Sequence, residues 1–246
     1  IGSFNDPSWE TASLGNYGID VAADGLVYIA VWDDNDFNGD GLPDHSLWRC
    51  LSNGNGLVRL CYLPDSPRGL KVIGSGPTTT VYVEGTGWVG GNLFTGKVMK
   101  CTPVRPHEFK AETLFDTGIK NAQDALPNGS QSALYVSAWS PIGYPDWNPY
   151  DGPVTKWDMY GHRDTRFSTS QMPIGNYPGT GLSPTGDALY VYHIGLGWGP
   201  SHMYKVNPAT GADMGSVVLD PGGSYGNGNM DVSQPGDIYF ARWIGY

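Results

Sequence analysis

The sequence predicts an all-β fold, a β-propeller of four-stranded antiparallel blades. First, an apolar residue, a tyrosine and a β-branched or aromatic residue recur as Val27-Tyr28-Ile29, Val81-Tyr82-Val83, Leu134-Tyr135-Val136, Leu189-Tyr190-Val191 and Ile238-Tyr239-Phe240, at spacings of 49 to 55 residues. Second, each is followed within eight residues by a tryptophan: Trp32, Trp88, Trp139, Trp198 and Trp243. Third, 36 glycines and 19 prolines, with 13% aromatic and only 15% charged residues, describe short strands broken by tight turns. A repeat near fifty residues in a strand-rich chain is the period of a propeller blade.

Each repeat divides into the same parts. An innermost strand such as Gly18-Ile19-Asp20-Val21 precedes a tight turn, as at Ala23-Asp24-Gly25, Pro184-Thr185-Gly186-Asp187 and Gln234-Pro235-Gly236-Asp237, and the tyrosine strand follows. The third strand carries a base in a fixed place: Leu47-Trp48-Arg49-Cys50, Val98-Met99-Lys100-Cys101, Val154-Thr155-Lys156-Trp157 and Met203-Tyr204-Lys205-Val206. The fourth ends near an aspartate, as at Asp65, Asp116 and Asp220. One propeller over 1–246 is expected, with repeats near 16–65, 66–116, 117–172, 173–220 and 221–246. Residues 1–6 match the end of a fourth strand and are expected to complete the last blade, whose third strand is missing before Tyr246; the alternative is a longer chain with more blades.

The turn Asn207-Pro208-Ala209-Thr210-Gly211 resembles the Asn/Asp-Pro-x-Thr-Gly turn of propellers of the YVTN and quinoprotein-like repeat families. That resemblance implies a fold and leaves the activity open.

A net charge of −10 and the absence of any Lys/Arg cluster argue against a nucleic-acid partner. No apolar run approaches the roughly 18 residues of a membrane span. Of three cysteines, Cys50 and Cys61 flank the turn Ser52-Asn53-Gly54-Asn55-Gly56, so a hairpin disulfide between them is one expectation, leaving Cys101 single. Asn128-Gly129-Ser130 is a glycosylation sequon whose meaning depends on the host.

Connections between second and third strands are long, roughly 33–46, 85–97, 140–153 and 193–202, and in a propeller they emerge on one face, where a ligand is expected. The first holds Asp36-Phe37-Asn38-Gly39-Asp40-Gly41-Leu42-Pro43-Asp44, which resembles the calcium loops of dockerin and thrombospondin type 3 repeats. The resemblance implies Ca2+ held by Asp36, Asn38, Asp40, the carbonyl of Leu42, and Asp44, since a hard cation collects six to eight oxygens. Leu47 stands where an EF-hand has its bidentate glutamate, so remaining ligands must be water or Asp33, Asp34 or Asn35.

The repeat tryptophans read first as wedges between blades. Tyr144, Trp147 and Tyr150 fall outside the repeat register and are the expected sugar-stacking residues. The inner strands carry Asn16 and Asp20, Asn121 and Asp124, and Asn227, Asn229 and Asp231, expected at the mouth of the central channel. Asp20, Asp124 and Asp231 are the acid, base or metal-ligand set if the protein is an enzyme; capping of the strands is the structural alternative. Only four glutamates, Glu10, Glu84, Glu108 and Glu112, leave few places for a glycosidase pair. His193 and His202 bracket the fourth loop and lack a third metal ligand. No Gly-x-Ser-x-Gly, Walker loop, dinucleotide fingerprint or haem-attachment motif is present.

Two functional classes follow. One is a secreted, extracellular or cell-surface calcium-binding propeller without catalysis, which binds a glycan or extracellular protein or builds an assembly through the open edge of its last blade. The other is a metal-dependent hydrolase or lyase working at the channel mouth.

Overall fold

The computed structural model describes residues 16–33, 35, 36, 39, 43–89, 92–139, 150, 152–195, 200–220 and 230–240, with only the backbone of 16, 17, 87–89, 92–95, 220 and 240. These residues form five antiparallel sheets in chain order. The first holds β1 (Asn16–Val21), β2 (Val27–Val31), β3 (Ser46–Cys50) and β4 (Val58–Tyr62), and the second β5 (Pro67–Ile73), β6 (Thr80–Val89), β7 (Asn92–Arg105) and β8 (Glu108–Lys120). The third holds β9 (Ala122–Pro127), β10 (Ala133–Ala138) and β11 (Val154–Asp158). The fourth holds β12 (Gly175–Leu182), β13 (Leu189–Gly195), β14 (Ser201–Val206) and β15 (Asp213–Asp220), and the fifth β16 (Met230–Val232) and β17 (Ile238–Phe240). Helix is confined, among these residues, to a 3-10 turn at Gly76–Thr78.

The sheets are arranged radially, as a propeller requires. Their first strands pack in succession, β1 on β5, β5 on β9, β9 on β12 and β12 on β16. A separate hydrophobic cluster fills each gap between consecutive sheets. Tyr28, Leu47, Val83 and Met99 fill the first, and Tyr82, Val98, Leu134 and Val136 the second. Tyr135, Phe167, Tyr177 and Val191 fill the third, and Tyr192, Met203 and Met230 the fourth. Side chains alternate across a strand, so each middle strand feeds the gaps on both sides.

The repeated tyrosines occupy equivalent places. Tyr28, Tyr82, Tyr135 and Tyr190 each lie opposite the base of the third strand, namely Arg49, Lys100, Lys156 and Lys205. On their other side they face Asp20, Lys71, Leu126 and Gly181 of the inner strands, and Tyr239 faces Asp231. Two of them fasten their sheet to the next: the Tyr82 hydroxyl donates to Gln131 Oε1 (2.9 Å) and that of Tyr135 to the carbonyl of Pro208 (2.8 Å).

Crowding at the axis explains the inner-strand glycines. A Cβ on Gly69 would stand 2.6 Å from the carbonyl oxygen of Gln123 on the next inner strand, and one on Gly181 would stand 2.6 Å from Val232 Cγ2.

Three expectations change. The third sheet has three strands; where a fourth would run, the chain after β11 turns back so that Phe167 and Met172 plug the gap to the fourth sheet. The connection 85–97 is mostly the continuation of β6 and β7, paired as far as Val89 and Asn92. The cysteines are all free. Cys50 and Cys61 point to opposite faces of the first sheet, Cys50 into a cluster with Val27, Ile29 and Trp48, and Cys61 toward the second sheet, so no bridge joins them. Residues 1–6, with the closure expected of them, lie outside the described residues.

Candidate functional site

The inner strands bring three of their charged residues to one level of the axis. Asp20, Lys71 and Asp231 share the register position opposite the repeated tyrosine, so they project from the first, second and fifth sheets at matching heights. Lys71 is buried and spans the axis: its ammonium donates to the main-chain carbonyl of Met230 in β16. Asp20 Oδ2 accepts the amide of Val72 in the neighbouring strand (2.7 Å). Burial pushes the Asp20 carboxyl up to about 6, against the opposing pull of Lys71 and the Val72 amide, while Asp231 adds to the rise.

Asp124 closes the next seam. Fully buried, it accepts both the amide (2.9 Å) and the hydroxyl (2.8 Å) of Thr180 on Oδ2, joining the third sheet to the fourth. Burial raises its pKa, and Lys71 and the Thr180 bonds oppose the shift. The axial carboxylates Asp20 and Asp124 are thus engaged in bonds between sheets, with Lys71 as a shared counter-charge. Asp20 lies toward the far end of β1, near the turn into β2, and not at the strand start where a channel mouth was expected.

Glu84 was not singled out by the sequence reading. It follows Tyr82 by two residues on the same face, and both carboxyl oxygens are buried with no hydrogen-bond partner among the described residues. Burial, then the charges of Asp124, Asp65 and Asp116, push its pKa well above the usual carboxylate value.

At the rim carrying the tight turns lies a cavity of about 570 Å3. The ends of the inner strands wall it through Ile73, Leu126, Leu182 and Val232, and Asp231 and Lys156 bring opposite charges to its lining. This rim lies opposite the long connections that the sequence singled out.

Of the calcium-loop residues, Asp36 and Asp44 are described and Asn38, Asp40 and Leu42 lie outside the described residues. The neck of the loop is built by hydrogen bonds: the Asp44 amide donates to the carbonyl of Asn35 (2.8 Å), and Asp33 Oδ1 accepts both the amide (2.9 Å) and side-chain nitrogen (2.7 Å) of Asn35. Asp36 Oδ1 accepts the amide of Gly39 (2.6 Å). The donors in the motif are all oxygens, which fits a hard divalent cation; Asp33 and Asn35, candidates for extra ligands, are occupied in the neck. No grouping of three or more His, Cys, Asp or Glu among the described residues forms a metal-binding cluster.

Tyr150 is half-buried, its ring edge-on to Trp157 (5.6 Å between centroids) and under the Arg163 guanidinium (4.4 Å). Tyr144 and Trp147 lie outside the described residues. Among the repeat tryptophans, Trp32 is buried and Trp139 half-buried. His193 and His202 are directly opposed across β13 and β14, 5.8 Å apart, in a cluster with Tyr177 and Tyr204. Burial, and then the neighbouring His202, press the His193 pKa down to about 4, which keeps it neutral at physiological pH.

No family model and no curated protein matches the chain. Solved structures do resemble it in shape. A nidogen/laminin complex superposes with a TM-score of 0.56 at 17% identity, over 93% of this chain and 72% of that one. A gluconolactonase from Xanthomonas campestris gives 0.59 at 15%, over 92% and 69%. Hydrazine synthase from Kuenenia stuttgartiensis gives 0.56 at 14%, over 92% and 71%. The chain is a β-propeller. At such identities the likeness establishes this architecture alone, and the same fold here spans a protein-binding partner and enzymes.

Proposed function

We propose that this chain is a secreted, calcium-binding β-propeller module that binds a glycan or an extracellular protein, without catalysis of its own. The observation that carries this reading is the state of the axis. Asp20 and Asp124 accept backbone amides of adjacent inner strands and Lys71 donates to a backbone carbonyl, so the groups a channel enzyme would deploy are holding sheets together. The neck around Asp33, Asn35 and Asp44 supports the calcium assignment, since its hydrogen bonds bring the two ends of the acidic segment together. Ca2+ there would order the loop through Asp36, Asn38, Asp40, Asp44 and the carbonyl of Leu42, and the aromatic residues Tyr144, Trp147 and Tyr150 would supply flat apolar faces for sugar or protein. The protein-binding neighbour supports a macromolecular partner, and the net charge of −10 favours a neutral or basic one.

The second reading, a metal-dependent hydrolase or lyase, is favoured by Asp231, which opens onto the 570 Å3 cavity beside Lys156, and by the gluconolactonase neighbour. Calcium titration by calorimetry separates the two. Binding abolished by Asp36→Asn together with Asp40→Asn, and retained in Asp231→Asn, supports the loop site. Binding lost only in Asp231→Asn or Asp20→Asn, with a hydrolytic activity lost in step, overturns the proposal in favour of the enzyme.

A further inference from the structure

The same geometry that separates Cys50 from Cys61 gives Cys61 another neighbour. Cys61 lies on β4, the outer strand of the first sheet, opposite Leu47 and on the same face, toward the second sheet. Cys101 lies on β7 of that second sheet between Val81 and Ala111, and is fully buried in the same interblade cluster. The two strand systems touch through β4 and β8, and Cys61 packs against the interblade cluster that holds Cys101, so both thiols face the same gap. Two thiols that enter one apolar gap from strands of different sheets are the arrangement from which an interblade disulfide closes.

We propose that Cys61 and Cys101 form a redox pair that closes into a disulfide bolting the first blade to the second. Cys61, half-buried, is the accessible sulfur. Its thiolate attacks one sulfur of a small-molecule disulfide, forming a mixed disulfide and releasing one small thiolate. Cys101 then gives up its proton, its sulfur attacks that of Cys61, and the second small thiol leaves. In all, two electrons and the two thiol protons pass from the protein to the small disulfide, which ends as two small thiols. The second step is the slow one. The neighbouring Cys61 thiol and burial hold the Cys101 thiol well above the usual range, so closure accelerates with rising pH.

The position gives the bond its effect. Inner strands of adjacent blades already share backbone-directed hydrogen bonds, and this pair adds a covalent tie between an outer strand of one sheet and its neighbour. The bridge would be closed in an oxidising compartment and open in a reducing one.

The test is to incubate the reduced, folded chain with oxidised glutathione at pH 8, alkylate remaining thiols, digest, and map the peptides by mass spectrometry. The expected result is a Cys61–Cys101 cross-link with Cys50 alkylated, together with a rise in Tm of about 5–10 °C that dithiothreitol reverses. The Cys50→Ser variant keeps the cross-link and the shift. Cys101→Ala loses both, and Cys61→Ser, at the more accessible position, loses both without opening a buried cavity. The proposal is overturned if all three thiols stay alkylatable, if oxidation halts at a glutathione adduct on Cys61, or if the bond formed involves Cys50 or a second copy of the chain.

Discussion

Asp124 Oδ2 receives two hydrogen bonds from one residue, the amide and the hydroxyl of Thr180, across the seam between the third and fourth sheets. The carboxylate has no access to solvent, so the bonds must do the work that water does elsewhere. Thr180→Val keeps the shape and the amide but removes the hydroxyl. It is expected to cost about 1–3 kcal/mol in urea denaturation, with Thr180→Ser close to the parent. Equal stability of all three would show that the hydroxyl contributes nothing at this seam.

Lys71 faces carboxylates from more than one sheet. Lys71→Met leaves Asp20 and Asp124 without their shared cation and should destabilise by about 3–5 kcal/mol at neutral pH. The deficit should shrink at pH 5, where Asp20 takes up a proton and no longer needs the ammonium. A deficit independent of pH would place the lysine's contribution in packing alone.

Two groups drive opposite pH dependences. Asp20 titrates near 6 in the folded chain and near 3.8 when unfolded, so between those values the folded state holds the extra proton and raising the pH removes stability. His193 titrates near 4 folded and near 6.5 unfolded; there the unfolded state holds the extra proton, and raising the pH restores stability. Asp20→Asn should therefore steepen the gain in stability between pH 4 and 6, and His193→Gln should flatten or reverse it. Denaturation midpoints measured across that range in the two variants check the signs, and matching slopes would contradict both assignments.

Gly69→Ala tests the crowding at the axis. The added Cβ meets backbone of the adjacent inner strand and the Asp124 carboxylate, none of which can swing aside as a flexible side chain would. A loss of on the order of 1–3 kcal/mol is expected, read as a lowered thermal midpoint. An alanine tolerated without loss would mean that the second and third inner strands are spaced more widely than described.

Much of the fold was legible because it repeats. The tyrosine triplets and the fixed bases of the third strands marked equivalent strands of each repeat, and in the sheets they lie opposite one another, Tyr28 across from Arg49 and Tyr82 across from Lys100. What failed was local. An irregularity between Leu47 and Trp48 in the pairing of β3 with β4 puts Cys50 and Cys61 on opposite faces, and no spacing rule reveals a bulge in advance. The axial residues were half legible: Asp20 and Asp124 stand out as polar residues on inner strands, whereas Lys71 sits where the second blade departs from that acidic pattern. That exception was the signal, since a lysine on an apolar inner strand must find its counter-charges across the axis. Glu84 gave a weaker one, an acid in a strand whose other residues near the tyrosine are buried.

Because Lys71 reaches from the second sheet to the fifth, a charged side chain tied to the opposite backbone crosses the middle of the molecule. The rim of tight turns and the rim of long connections lie at opposite ends of the inner strands. The two ends are thereby chemically separate territories, and substitutions that remodel recognition at one should leave the other untouched.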